Sequence, residues 1–73
     1  MNIAEKLVEI IENERRERGK SYQKIADEIG VHRNTLTNVK RKHGWCMLYV
    51  ANQILDGLGY ELVIQKKAGG NGT

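Results

Sequence analysis

At 73 residues with a net charge of +3, the chain has room for one small domain at most; without Phe, and with one Trp and three Tyr, its core must be aliphatic. The lone Cys46 excludes an internal disulfide framework. Charges recur every few residues through "MNIAEKLVEIIENERRERG", which speaks against a secretory leader or a spanning helix and makes the cytoplasm the expected residence.

The first predicted helix runs from about Ile3 to Arg18, with Asn2 as N-cap and Gly19 as stop. Ile3, Leu7, Ile10 and Ile11 fall at i, i+4, i+7 and i+8 and define its inner face. On the outer side, Glu12 and Arg16 are spaced to pair. Residues 1–19 carry a net −1, residues 20–43 a net +4, and the remainder balances. The cationic excess therefore sits on one segment, where an anionic partner would meet it, although a charge run is more often only a solvated face.

A second helix is predicted from about Tyr22 to Ile29, capped by Ser21 without a full capping box because Lys24 stands where Glu would. Ile25, Ala26 and Ile29 form its inner face, and Gly30 supplies the left-handed turn that follows. The third helix covers about Arg33 to Arg41. At about 100° per residue, Leu36 and Val39 share one side, while Arg33, Asn34, Thr37, Asn38 and Arg41 fill a sector of about 140° opposite. No Asp or Glu interrupts that polar sector. It carries side chains that match base edges in a major groove: Arg33 with guanine, Asn34 or Asn38 with adenine, Thr37 with a thymine methyl or a phosphate. Tyr22, Gln23, Lys24, His32, Lys40, Arg41 and Lys42 are the expected phosphate contacts, which set affinity rather than sequence preference. His32 begins the third helix, as phosphate contact or cap, with a merely exposed histidine as the equal alternative.

"KHGW" breaks the pattern, and a fourth helix is expected from about Trp45 to Leu58, ended by Gly59. On its wheel Asn52, Gln53, Asp56 and Gly57 occupy about 140°, leaving about 220° apolar, wider than the stripe of little over 100° that one small core covers. "YELVIQ" alternates as a strand and is too hydrophobic to stand as an open edge. Together these predict a homodimer in which the strand pairs across a two-fold axis, with Tyr49, Leu55, Leu58, Tyr60, Leu62, Val63 and Ile64 at the interface. Dimerisation would also relieve the marginal stability of a chain that buries only about 60% of its unfolded surface. The alternative is that residues 60–65 lie on their own subunit.

Ala26, Gly30 and the apolar set Ile25, Ile29, Val31, Leu36 and Val39 occupy seven positions over twenty residues and fit a helix-turn-helix. Residues 22–41 resemble the motif of the Cro/Xre, lambda-repressor-like family of bacterial and phage DNA-binding proteins. "ANQILDGLGYELVI" is similar to the helix ending in Leu-Gly and the strand after it in many members, so the resemblance covers roughly residues 3–65. It implies a sequence-specific transcriptional regulator, a repressor of a phage or mobile-element operon, that binds a pseudo-palindromic operator on double-stranded DNA. The sequence departs from the family at Tyr22, where many members carry Gln, and at the basic "VKRKHG", where many close the third helix with an acidic turn and a proline.

The fold class expected is mainly α: a small four-helix helix-turn-helix domain over residues 1–67 with a short C-terminal β-strand paired across a dimer, then a disordered tail at 68–73. A second functional reading is a protein-interaction module, an antitoxin or inhibitor, built on the same scaffold. An enzyme is the weakest reading, because Asp27 and Glu28 have no His, Ser or Cys constellation beside them and "AGGNG" has no helix after it to cradle phosphate. No cofactor is expected. His43 and Cys46 have an H-x-x-C spacing, but two ligands do not make a structural zinc site, and a buried or half-buried free thiol beside Trp45 is the reading preferred.

Overall fold

The computed structural model describes residues 2–66 as four helices: α1 (Ile3–Arg18), α2 (Tyr22–Ile29), α3 (Arg33–Arg41) and α4 (Leu48–Gly57). Lys67 and the tail at 68–73 lie outside the described residues. Local chemistry explains several of the boundaries. Asn2 Oδ1 accepts from the Glu5 N–H at 2.8 Å while the Asn2 N–H donates to Glu5 Oε1 at 3.1 Å, a reciprocal capping box. Ser21 Oγ accepts from the Lys24 N–H at 3.3 Å and starts α2. Gly30 adopts φ 80° and both its own N–H and that of Val31 donate to the Ala26 carbonyl, at 2.9 and 3.0 Å. A β-carbon disfavours that left-handed backbone, which is why a glycine stands at the turn.

The core is aliphatic, as the composition required: Leu7, Ile11, Ile25, Ala26, Leu36, Val39, Ile54, Leu55 and Leu58 form one cluster, with Ile29, Val31 and Leu62 packed at its edge. Ile25, Ala26 and Leu36 are wholly buried. These are the residues that hold α2 against α3.

Several expectations need correction. Ile3 is 69% exposed, and Ala4 takes the buried place at the start of α1. Glu12 pairs with Arg15 at 3.2 Å, whereas Arg16 turns to Asn13 Oδ1 at 2.9 Å. The fourth helix begins at Leu48 rather than Trp45: the chain leaves α3 through left-handed His43 (φ 55°) and Gly44 (φ 89°), and Met47 holds extended backbone as the N-cap of α4. Gly44 is buried against α1, where a β-carbon would overlap the Ala4 carbonyl. Gly57, placed on the polar side of its helix by the wheel, instead lets α4 approach α2: a β-carbon there would overlap Ile29.

Residues 60–65 form neither strand nor helix. A strand exists through ladder bonds to a neighbouring strand, and a single copy supplies no such neighbour among the described residues. Leu62 packs instead on the edge of its own core, and the Tyr60 hydroxyl donates to Glu14 at 2.9 Å. Leu55 and Leu58, expected at an interface, are 7% and 4% exposed and covered by their own chain. Tyr49, Tyr60, Val63 and Ile64 do stand exposed. Cys46 is exposed rather than buried, since it lies in the link before α4 and not on a helix face.

Candidate nucleic-acid interface

Helix α3 is held from one side only. Leu36 and Val39 enter the core, and Arg33, Asn34, Thr37, Asn38, Arg41 and Lys42 are exposed on the other side. Its start is fixed by His32, whose Nδ1 accepts from the Asn34 N–H at 3.1 Å. That bond requires an unprotonated Nδ1, so in the neutral ring the proton resides on Nε2, which leaves a donor for an outside acceptor. His32 is thus the cap of α3, one of the two roles its position suggested.

Internal bonds determine what the exposed groups can offer. The Thr37 hydroxyl donates to the Asn34 carbonyl at 3.2 Å, so its oxygen remains free to accept a bond from a partner. Arg41 donates to Asn38 Oδ1 at 3.0 Å, so the Asn38 amide NH₂ remains for a partner. Arg33 and the side chain of Asn34 have no hydrogen bond or ion pair among the described residues. A free guanidinium and a free amide, side by side on a helix without carboxylates, can pair bidentately with base edges.

Two of the expected phosphate contacts are placed differently. Tyr22 is half-buried; its hydroxyl is enclosed and has no hydrogen-bond partner among the described residues. Its ring reaches from α2 toward α1 and α3, with the Arg15 guanidinium and the Lys40 ammonium each 5.1 Å from its centroid. Lys40 is drawn to Glu12, at 3.6 Å, and so ties α3 to α1. Gln23, Lys24, Arg41 and Lys42 are on the surface, and Lys40 is exposed as well.

Asp27 is the residue that a helix wheel of α3 misses. It lines a groove of about 300 Å³ with Gln23, Val31, His32 and Arg33, and puts a carboxylate at the edge of the otherwise cationic face. The signal was available in the sequence, since Gln23 and Asp27 are one turn apart on α2. Asp27 and Glu28 do not share a role. Glu28 is taken up by Arg18 (3.0 Å) and Lys20, whereas Asp27 has no ion pair among the described residues.

A second surface lies elsewhere. Residues 44–46, α1, α4 and residues 60–62 enclose an apolar groove of about 290 Å³ whose walls include Ile3, Leu7, Ile10, Trp45, Leu48 and Leu62. Cys46 is on its rim, and partial burial pushes the thiol above its ordinary range, with a smaller opposing effect from the backbone of Ala51. Among the described residues, no three His, Cys, Asp or Glu side chains gather as metal ligands, and no helix is long and apolar enough to cross a membrane.

Compared with protein-family models, curated proteins and solved structures, the chain matches none.

Proposed function

We propose that the chain is a sequence-specific double-stranded-DNA-binding regulator of the Cro/Xre helix-turn-helix type. In this reading α3 enters the major groove, and Arg33, Asn34, Thr37 and Asn38 meet base edges. Gln23, Lys24, His32, Arg41 and Lys42 meet phosphates. The observation that carries the reading is the one-sided burial of α3: two core residues behind, four polar side chains capable of base contact in front, and no acid among them. The chain works as a homodimer on a pseudo-palindrome, with half-sites about one helical turn apart. By family resemblance the regulator is a repressor of a phage or mobile-element operon.

A protein-interaction module on the same scaffold is the second reading, and the apolar groove beside α4 is what favours it. Selection of bound duplexes from a random pool, followed by gel shift at several salt concentrations, separates the two. A palindromic consensus and a steep salt dependence are expected of the regulator. A pool that yields no consensus, together with no shift of any duplex at low salt, overturns it.

A further inference from the structure

The His32 ring has a task for each of its nitrogens. Nδ1 accepts from the Asn34 N–H at 3.1 Å, one of the first-turn donors of α3 that its own helix leaves without a partner. The ring is exposed, and its Nε2–H is left for a phosphate. The cap bond matters most for the two residues beside it. Arg33 and Asn34 open α3, both are exposed, and neither side chain has a hydrogen bond or ion pair of its own among the described residues. The backbone of the first turn therefore sets their aim. Thr37 and Asn38 are anchored otherwise. They lie between the buried Leu36 and Val39, with Thr37 bonded to the Asn34 carbonyl at 3.2 Å and Asn38 to Arg41 at 3.0 Å.

Protonation of the ring is incompatible with the cap. An imidazolium carries a proton on both nitrogens and accepts on neither, so Nδ1 would meet the Asn34 N–H donor to donor. Its charge would also stand at the positive end of the helix dipole. That same charge attracts phosphate whatever the sequence. Acid thus acts with opposite signs on the two parts of recognition, loosening the first turn that aims Arg33 and Asn34 while favouring sequence-blind attraction. Two charged groups share the groove of the ring, Asp27 from α2 and Arg33 from α3, and they bear on it with opposite signs. Histidine is the side chain that ordinarily changes charge between about pH 5 and pH 8. The other histidine of the chain, His43, is exposed beyond the end of α3.

We propose that His32 is a positioning residue for base reading: its neutral Nδ1 holds the first turn of α3, and with it Arg33 and Asn34, so sequence discrimination falls as the ring is protonated. This rests on the DNA reading and gives His32 a part beyond phosphate contact. The cap is complete on the alkaline side and is lost as pH falls.

The full chain is titrated at fixed salt between about pH 8 and pH 5. Fluorescence anisotropy reads its affinity for a selected duplex and for a random one, and nitrogen NMR follows the His32 ring and the Asn34 amide without DNA. The ratio of the two affinities is expected to fall about threefold or more toward acid, through a loss that the random duplex does not share. His32→Asn keeps a capping acceptor and cannot titrate, so its ratio should stay high and level with pH. His32→Ala should give a low, level ratio. His43→Asn, which suits the left-handed backbone there, should titrate as the wild type does. The Asn34 amide should shift with the titration of the His32 ring. A wild-type ratio that is level with pH overturns the proposal, as does a ratio that still falls in His32→Asn or an Asn34 amide indifferent to the ring. Failure to bind any duplex at any pH removes the regulator itself, whereas a selected consensus with a level ratio removes only the role of His32.

Discussion

The two faces of this domain differ in how far one chain completes them. Around α3, every apolar residue has found cover, and the exposed side chains are polar or cationic over a stretch, 29–42, that holds no acid. Around α4 and residues 60–66, large apolar side chains stand in solvent beside an open groove over a stretch, 44–65, that holds no base. A polar face is stable in water whether or not its partner is present. An apolar one is not, because leaving apolar area exposed forgoes roughly 25 cal/mol per Å². The first face is stable in water as it stands, while the second leaves apolar area uncovered.

The joint between the two faces is where a single change has the largest effect. Gly44 links α3 to the start of the apolar face with a left-handed backbone pressed on Ala4. Gly44→Ala is expected to cost about 3 kcal/mol or more, from left-handed strain plus a clash against main chain that cannot move aside. Urea unfolding at fixed protein concentration measures it; a loss below about 1 kcal/mol would mean the two faces are not rigidly coupled.

Next in size is Arg33→Ala, which should weaken a selected site by roughly 1–3 kcal/mol while scarcely altering random duplex. Equal losses on both would make Arg33 a phosphate contact and blur the division between reading and anchoring. Tyr22→Phe sharpens the comparison from the inside, because it removes an enclosed hydroxyl that has no partner. It should leave stability unchanged or raise it by up to about 1 kcal/mol, with the cations beside the ring undisturbed. A clear loss in thermal unfolding would show that the hydroxyl is bonded, through water, to the Glu12 and Arg15 atoms enclosed with it.

Asp27→Asn should tighten binding to every duplex by less than about 1 kcal/mol, as an unpaired carboxylate leaves a groove whose one fixed cation is Arg33. Gel shift at low salt reads it, and weaker binding would identify Asp27 as an orienting partner of Arg33. The smallest effect belongs to Tyr60, whose hydroxyl is held above its ordinary 10.0, first by the hydrogen bond to Glu14 and then by lesser desolvation and nearby charge. The protonated phenol is the form the fold favours, so its contribution is complete below pH 10 and fades as pH rises through the raised value. The wild type should therefore lose slightly more stability than Tyr60→Phe in that alkaline window.

Much of the fold was legible because its causes are local. Gly30, Ser21 and Asn2 act on backbone groups within four residues of themselves, and the 3.6-residue period alone places Ile25, Ala26, Leu36 and Val39 inside. What was misread depended on a distant element. The Gly57 position looked polar on its wheel until Ile29 of α2 came to rest against it, and Leu55 and Leu58 looked available until their own core closed over them. Tyr22 looked like a surface group until α1 brought Arg15 to meet its ring. The strand was misread because alternation is a local pattern, and no neighbouring strand meets residues 60–65 among the described residues.

By itself, then, the order of residues determined four helices, their caps and turns, the buried side of α3 and the polar set opposite it, since each follows from interactions spanning a turn or two. Only the tertiary structure decided where α4 begins, which glycines admit a neighbouring helix, that Asp27 shares a groove with Arg33 and that a second groove opens between α1 and α4. Those features are set by surfaces meeting across long stretches of chain, and no local period encodes the distance between them.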